Sequence, residues 1–78
     1  MENTEGAEKV RNMNPLRLER ILQGKSIHLV SHKTGIDSGK LSLIERGLRT
    51  PTSDEKRRLA KVLRARIRDL FPEEAGNA

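Results

Sequence analysis

The stretch that decides the fold spans residues 26–47 and reads SIHLVSHKTGIDSGKLSLIERG. Ser26 can accept a hydrogen bond from a free amide at the start of a helix, so it predicts the N-cap of a short helix over 27–34. Gly35 follows directly, and glycine adopts without strain the positive φ at which helices commonly end. The pattern therefore predicts a helix of about two turns with a sharp end.

A second short helix is predicted almost immediately afterwards. Asp37 is the next N-cap candidate, and we expect the helix to run over 38–46 with Leu41 and Ile44 facing the core. Three residues separate the two helices, and one of them is glycine. Two short helices joined by such a turn are typical of a helix-turn-helix, whose second helix stands out from the surface.

Helical signals continue on both sides of this stretch. Pro15 suits the first turn of a helix over 15–23, in which Leu16, Ile21 and Leu22 recur at helical spacing. Downstream, Thr52 or Ser53 caps a fourth helix, and a short fifth helix is stopped by Pro72. No segment alternates apolar and polar residues for long, so strands are not predicted. The sequence therefore predicts an all-α, compact four- to five-helix domain over 15–72 with a central helix-turn-helix.

Charge is distributed unevenly along the 78 residues, whose net charge is +5. Residues 15–72 carry 14 Lys and Arg against six Asp and Glu, a net charge of +8, whereas residues 1–14 and 73–78 carry −1 and −2. The terminal segments are polar and lack a clear period, so we expect a flexible N-terminal arm over 1–14 and a flexible C-terminal tail over 73–78. The strongly basic middle favours a polyanionic partner.

Composition excludes several classes of site. The chain has no cysteine, which excludes a disulfide scaffold, a zinc finger, an iron–sulfur site and a thiol nucleophile. Its apolar runs are too short for a membrane span, so we expect no membrane partner and a cytoplasmic protein. His28 and His32 have the i, i+4 spacing of two zinc ligands, but no third ligand is evident, so we expect no metal and no cofactor. No nucleophile–base pair or phosphate-binding glycine loop is present, so we do not expect an enzyme.

A family resemblance rests on motifs spread over most of the basic section. The matching residues are Arg20, Gly24, Ser26, Val30-Ser31, Thr34-Gly35-Ile36, Leu41-Ser42, Ile44-Glu45-Arg46-Gly47, Pro51, Leu59-Ala60, Leu63 and Leu70-Phe71. On these residues the chain resembles the Xre-like, Cro/repressor-type helix-turn-helix family over 16–72. The resemblance implies a five-helix DNA-binding fold whose third helix is the recognition helix. It also implies that Arg20 and Glu45 form a pair that bridges helix one to the end of helix three.

Candidate DNA contacts follow from the resemblance and from side-chain chemistry. We expect the base-facing residues to be Ser38, Gly39, Lys40 and Leu43. Lys40 can reach guanine O6 and N7 or a phosphate, whereas Leu43 can only cover a thymine methyl. Gly39 either allows the backbone to approach the groove closely or is a neutral surface glycine. We expect the phosphate-contacting residues to be Ser26, Ile27, His28, Lys33, Arg46 and Arg49.

The leading functional prediction is a sequence-specific regulator of transcription that binds double-stranded DNA. We expect a Cro-like repressor of phage or mobile-element type, associated with the nucleoid, or in the host cytoplasm if phage-encoded. We expect a homodimer, and whether it exists without DNA stays open. The predicted dimer surface runs from Leu48 through helix four to 67–71, with the alternative that Phe71 closes the core of one chain.

Two other functions stay open. The first is an antitoxin-type or adaptor module whose acidic tails bind a protein partner, with secondary DNA binding. The second is a low-specificity nucleic-acid binder, because the base-reading positions carry no Gln, Asn or Arg. Selection of binding sites from random duplex DNA separates this second alternative from the leading prediction.

Overall fold

The computed structural model describes residues 14–72, and within this range every regular element is an α-helix. The five helices are α1 (Pro15–Leu22), α2 (Ile27–Thr34), α3 (Ser38–Glu45), α4 (Ser53–Leu63) and α5 (Ile67–Leu70). The prediction of an all-α domain is confirmed for this part of the chain. The predicted flexible arm over 1–14 and tail over 73–78 lie outside the described residues, apart from Asn14.

Side-chain caps set where the first four helices begin. The N-cap residues are Asn14, Ser26, Asp37 and Thr52, and the side chain of each accepts a backbone amide of its own helix. At α4, Thr52 and Glu55 form a capping box, in which each side chain accepts the other residue's amide. Each cap stabilises its helix by about 1 kcal/mol, so these short helices have locally encoded starts.

The core is a single apolar cluster to which every helix contributes. Its buried side chains are Leu16, Val30, Ile36, Leu41, Ile44, Leu59, Leu63, Leu70 and Phe71. Helix α2 packs against α3 and α4, while α5 packs against α1 and α4. Helix α3 packs chiefly against α2, and one ion pair joins it to α1 and another joins it to α4.

Hydrogen bonds made by the side chains of Ser31 and Thr34 hold the connection between α2 and α3 in place. Gly35 has φ 77°, and its amide donates to Ser31 O at the end of α2. Thr34 Oγ1 accepts the Ile36 amide at 3.2 Å and donates to Val30 O at 2.7 Å. Ser31 Oγ donates to Ile36 O at 2.5 Å, so both backbone groups of Ile36 are paired while its side chain enters the core. The turn is therefore fixed relative to the core.

The loop after α1 supports the carboxyl end of α4. Gln23 Nε2 donates to Leu63 O at 2.7 Å, and Lys25 Nζ donates to Val62 O at 3.0 Å. These bonds satisfy carbonyl groups that have no partner inside α4. The loop therefore links the first and fourth helices.

Two apolar residues of α1 do not enter the core. Leu16 is buried, but Ile21 is 44% exposed and Leu22 is 71% exposed. At about 100° per residue, positions five and six beyond Leu16 lie about 140° and 240° around the helix, away from the buried side. The apolar pattern predicted the helix correctly but did not predict which side of it is buried.

Phe71 closes the core of one chain. Its side chain is buried, and Lys56 Nζ lies 5.6 Å from the centre of its ring. Of the two roles considered for Phe71, its burial supports closure of the core of one chain. Leu48, at which the predicted dimer surface begins, is 65% exposed.

The longest described helix has 11 residues. None of the helices between residues 14 and 72 combines the length and the apolar content needed to cross a membrane.

Candidate nucleic-acid interface

Helix α3 is divided between a buried side and a partly exposed side. Leu41, Ile44 and Glu45 are buried. Of the four residues predicted to face bases, Gly39 is exposed, whereas Ser38, Lys40 and Leu43 are half-buried. The structure brings these four residues to one helix but leaves their side chains only partly accessible.

Arg20 and Glu45 join α1 to the last turn of α3. Arg20 Nε donates to Glu45 Oε2 at 2.7 Å, and Arg20 Nη2 donates to Glu45 Oε1 at 3.0 Å. The third nitrogen, Nη1, donates to Lys25 O at 2.9 Å. The side chains are 12% and 4% exposed, respectively. A bidentate, nearly buried pair of this kind fixes orientation as well as contact, so it constrains how α3 is presented.

Asp37 occupies the amino end of α3. One carboxylate oxygen accepts the amides of Gly39 at 2.9 Å and Lys40 at 3.3 Å. A Cβ placed on Gly39 would lie 2.9 Å from that same oxygen, closer than real Cβ contacts. A side chain at residue 39 would therefore require the Asp37 carboxylate to shift from its capping position, which adds a local constraint to the two interpretations drawn from the sequence.

Lys40 is held by Glu55 of α4. Lys40 Nζ lies 2.6 Å from Glu55 Oε2, and the two side chains are 24% and 15% exposed. The hydrogen bond from Lys40, followed by the one from the Thr52 amide, lowers the pKa of Glu55 below its ordinary value. Lys40 therefore has an intramolecular partner at the position from which it was predicted to read bases.

The amino end of α2 keeps free backbone amides. Ser26 is exposed, and its Oγ accepts the amide of Leu29 at 3.0 Å. The amides of Ile27 and His28 have no acceptor among the described residues, and the first turn contains no acidic side chain. Free amides and a positive helix end favour an anion. This end of α2 is thus compatible with the phosphate contact predicted for Ser26, Ile27 and His28.

Three cations lie before and after α3 along the chain. Lys33 lies in the last turn of α2, and Arg46 and Arg49 follow α3 directly. All three are exposed, and none forms an ion pair with a carboxylate of the described residues. They are therefore accessible to an external anion.

Lys33 also belongs to an open groove between α2 and α4. The groove is lined by His32, Lys33, Thr34, Arg58, Lys61, Val62 and Arg64. Arg58 is already engaged there, since Nη1 donates to Thr34 O at 3.2 Å and Nη2 lies 2.8 Å from Asp54 Oδ2. Arg58 thus caps the carboxyl end of α2.

Within the described part of the chain, no group of three or more His, Asp or Glu side chains is placed to hold a metal ion. His28 and His32, the pair with zinc-ligand spacing, are both exposed on α2.

The main residue that the sequence interpretation missed is Glu55. The spacing of Thr52 and Glu55 is a capping-box signal, and it could have identified Glu55 as a fixed carboxylate. Its pairing with Lys40 has no such signal, because 15 positions separate the two residues. Gln23 and Lys25 were missed for a similar reason, since their acceptors lie 40 and 37 positions away.

No family model, curated protein or solved structure matches the chain. A function is therefore inferred from the residues, from their geometry and from the motif resemblance.

Proposed function

We propose that this chain binds double-stranded DNA and acts as a sequence-specific regulator of transcription. In this proposal α2, the turn and α3 act as a helix-turn-helix, and α3 enters the major groove. The charge arrangement around α3 carries the proposal. Glu45 and Glu55 are each neutralised by a basic side chain, whereas the cations that precede and follow α3 along the chain are exposed. The region therefore presents net positive charge to a polyanion.

Phosphate contacts would fix the protein on the duplex without reading sequence. Lys33, Arg46 and Arg49 supply exposed charges, and the free amides at Ile27 and His28 supply hydrogen-bond donors. These groups come from α2 and from the residues that follow α3. Such a distribution supports a helix held between two phosphate-binding segments.

Base contacts would come from the partly exposed side of α3. Ser38 can donate to or accept from several bases, and Leu43 can cover a thymine methyl. The exposed backbone at Gly39 allows close approach to a groove wall. Lys40 reaches a guanine only by leaving Glu55.

A homodimer is part of the proposal, because one small module buries too little surface for the affinity of a regulator at physiological salt. Two copies related by a twofold axis would place their recognition helices about 34 Å apart, in successive major grooves. The exposed Leu48 supports a dimer surface in the loop after α3, and Phe71 is buried in the core of its own chain. Occupying an operator in this way would make the protein a repressor.

One observation favours low-specificity nucleic-acid binding as a second candidate function. Of the four predicted base-facing residues, Gly39 has no side chain, Leu43 has no polar atom and Lys40 is engaged by Glu55. Ser38 then carries most of the hydrogen-bonding readout, which is a weak basis for discrimination. The antitoxin-type or adaptor alternative depends on the acidic segments 1–14 and 73–78, which extend outside the described residues.

Selection of binding sites from random duplex DNA tests the proposal directly. A palindromic motif with two protected half-sites about ten base pairs apart is expected. Binding without an enriched motif would favour the low-specificity function. Saturation at one protein per duplex would remove the homodimer, and stoichiometric co-purification with another protein would favour the adaptor role.

Arg49→Ala, compared with Arg68→Ala, tests the phosphate contacts. Both variants remove one exposed positive charge, but Arg68 lies on α5, which packs against α1 and α4. Arg49→Ala should weaken binding to all sequences similarly and reduce the slope of log K against log salt by about 0.9. Equal slopes for the two variants would show that Arg49 does not contact a phosphate.

A further inference from the structure

We propose that Glu55 is a specificity-determining residue, because it holds the Lys40 ammonium on α4 and so limits the charge that α3 offers to DNA. This inference rests on the proposed DNA binding. It assigns a role to a residue of α4, which has no predicted contact with a base.

The Glu55 carboxylate is fixed through both of its oxygens. Oε1 accepts the Thr52 amide at 2.9 Å, and Oε2 accepts from Lys40 Nζ at 2.6 Å. Thr52 Oγ1 in turn accepts the Glu55 amide at 3.1 Å. The capping box therefore holds the carboxylate in place, and Lys40 is attached to a fixed acceptor instead of to a mobile side chain.

The contact between Lys40 and Glu55 is short, at 2.6 Å, but it is partly exposed. Lys40 is 24% exposed, so a DNA acceptor can approach its ammonium group. While the pair is intact, the two charges cancel, and Lys40 displaces no counterion from DNA. Only an acceptor that compensates for the loss of Glu55, such as O6 and N7 of a correctly placed guanine, is expected to take Lys40 away.

Without Glu55, Lys40 would bind any nearby phosphate. Affinity for unrelated duplexes would then rise more than affinity for the preferred duplex, and the ratio between the two would fall. Glu55 thus lowers the affinity for DNA in general and raises the discrimination between preferred and unrelated duplexes.

Glu55→Gln is the variant that isolates this effect. Glutamine at the third helical position still accepts the Thr52 amide, so the capping box is retained while the charge of residue 55 is lost. Asp54→Asn is the matched control, since Asp54 is an exposed acid of the same helix turn that pairs with Arg57 and Arg58 instead of Lys40.

Binding is measured by fluorescence anisotropy on the selected duplex and on a scrambled duplex between 50 and 200 mM salt. For Glu55→Gln we expect tighter binding to the scrambled duplex. We also expect a salt slope steeper by about 0.9, which is about 3.5-fold more affinity lost over that range. Asp54→Asn should show neither a steeper slope nor a lower ratio between the duplexes.

The double variant Lys40→Ala/Glu55→Gln separates two explanations. If Glu55 acts through Lys40, Glu55→Gln has no effect when Lys40 is absent. If Glu55 acts only by repelling phosphate, the gain persists in the Lys40→Ala background, and the inference is overturned. An unchanged slope in Glu55→Gln overturns it as well. A wild-type protein that binds neither duplex would remove the proposed function and this inference together, whereas the other two outcomes leave DNA binding intact.

Discussion

Two ion pairs join α3 to other helices of the fold, and they differ in geometry, exposure and position. At the carboxyl end of α3, two nitrogens of Arg20 donate hydrogen bonds to Glu45, whose side chain is 4% exposed. Nearer the amino end, Lys40 makes a single contact with Glu55, and its side chain is 24% exposed. The carboxyl end is thus fixed, whereas the end that approaches DNA in our proposal has an exchangeable attachment.

The difference follows from side-chain chemistry. A planar guanidinium matches both carboxylate oxygens, and the Arg20–Glu45 pair also gains from a bond to Lys25 O. An ammonium on a flexible stem makes a point contact and can move to another acceptor with little rearrangement. The first pair favours a constant orientation of α3, and the second allows Lys40 to change its acceptor on binding.

The largest expected effect is on stability, when each pair loses its basic partner. Arg20→Met leaves the buried Glu45 carboxylate without its partner and should lower the free energy of unfolding by about 3 kcal/mol. Lys40→Met keeps a similar stem and should cost about 1 kcal/mol or less, because Glu55 keeps its bond to Thr52. Urea unfolding of the two variants measures the difference. Equal losses would abolish the distinction between the two ends of α3.

The next effect concerns how α3 is presented to DNA. Glu45→Ala should weaken DNA binding by about tenfold, which is about 1.4 kcal/mol, although removing an acid near DNA would otherwise help. The loss would come through Arg20, which no longer holds the last turn of α3. Anisotropy titrations and thermal melts are needed together. Tighter binding with unchanged melting would show that the bridge does not orient α3.

A smaller effect tests the local structure at the amino end. In the wild-type background, Gly39→Ala should bring little stability, because its Cβ meets the Asp37 oxygen that caps the helix. In an Asp37→Ala background, the same substitution should stabilise by about 1 kcal/mol, since alanine favours helix over glycine and no cap is disturbed. Thermal unfolding of the four proteins gives the coupling. Equal gains in both backgrounds would show that the cap does not select glycine.

The smallest expected effect is a pH dependence of the exchangeable pair. Because Lys40 and the Thr52 amide lower the pKa of Glu55 from 4.5, this carboxylate stabilises the fold above pH 4.5 and loses that contribution as pH falls through its folded-state pKa. The stability difference between wild type and Glu55→Gln should therefore be constant near neutral pH and shrink below pH 4.5. Thermal melts from pH 7 to pH 3 measure it, and a constant difference across that range would contradict the assignment.

Sequence reasoning succeeded where the determinants are local. Ser26, Gly35 and Asp37 each act within one helical turn of the boundary that they set. The start and the end of α2 and the start of α3 agree with the prediction. The resemblance supplied the Arg20–Glu45 pair, which the structure contains.

The remaining features depend on distant packing. Nothing near Lys40 indicates that α4 will bring Glu55 within 2.6 Å. The exposure of Leu22 likewise depends on which side of α1 meets the other helices, and the short apolar pattern does not decide this.

The fastened turn between α2 and α3 also restricts how the chain length can vary. Ile36 is buried and both of its backbone groups are paired. The turn therefore cannot accommodate an extra residue at 35–37 without breaking these contacts. An extra residue drawn into α3 would rotate the helix by about 100° and carry Leu41 and Ile44 out of the core. The segment from 46 to 52 is mostly exposed and can change length at little cost. We therefore expect variants of this fold to differ by insertions after α3, and to differ only by substitutions in the turn between α2 and α3.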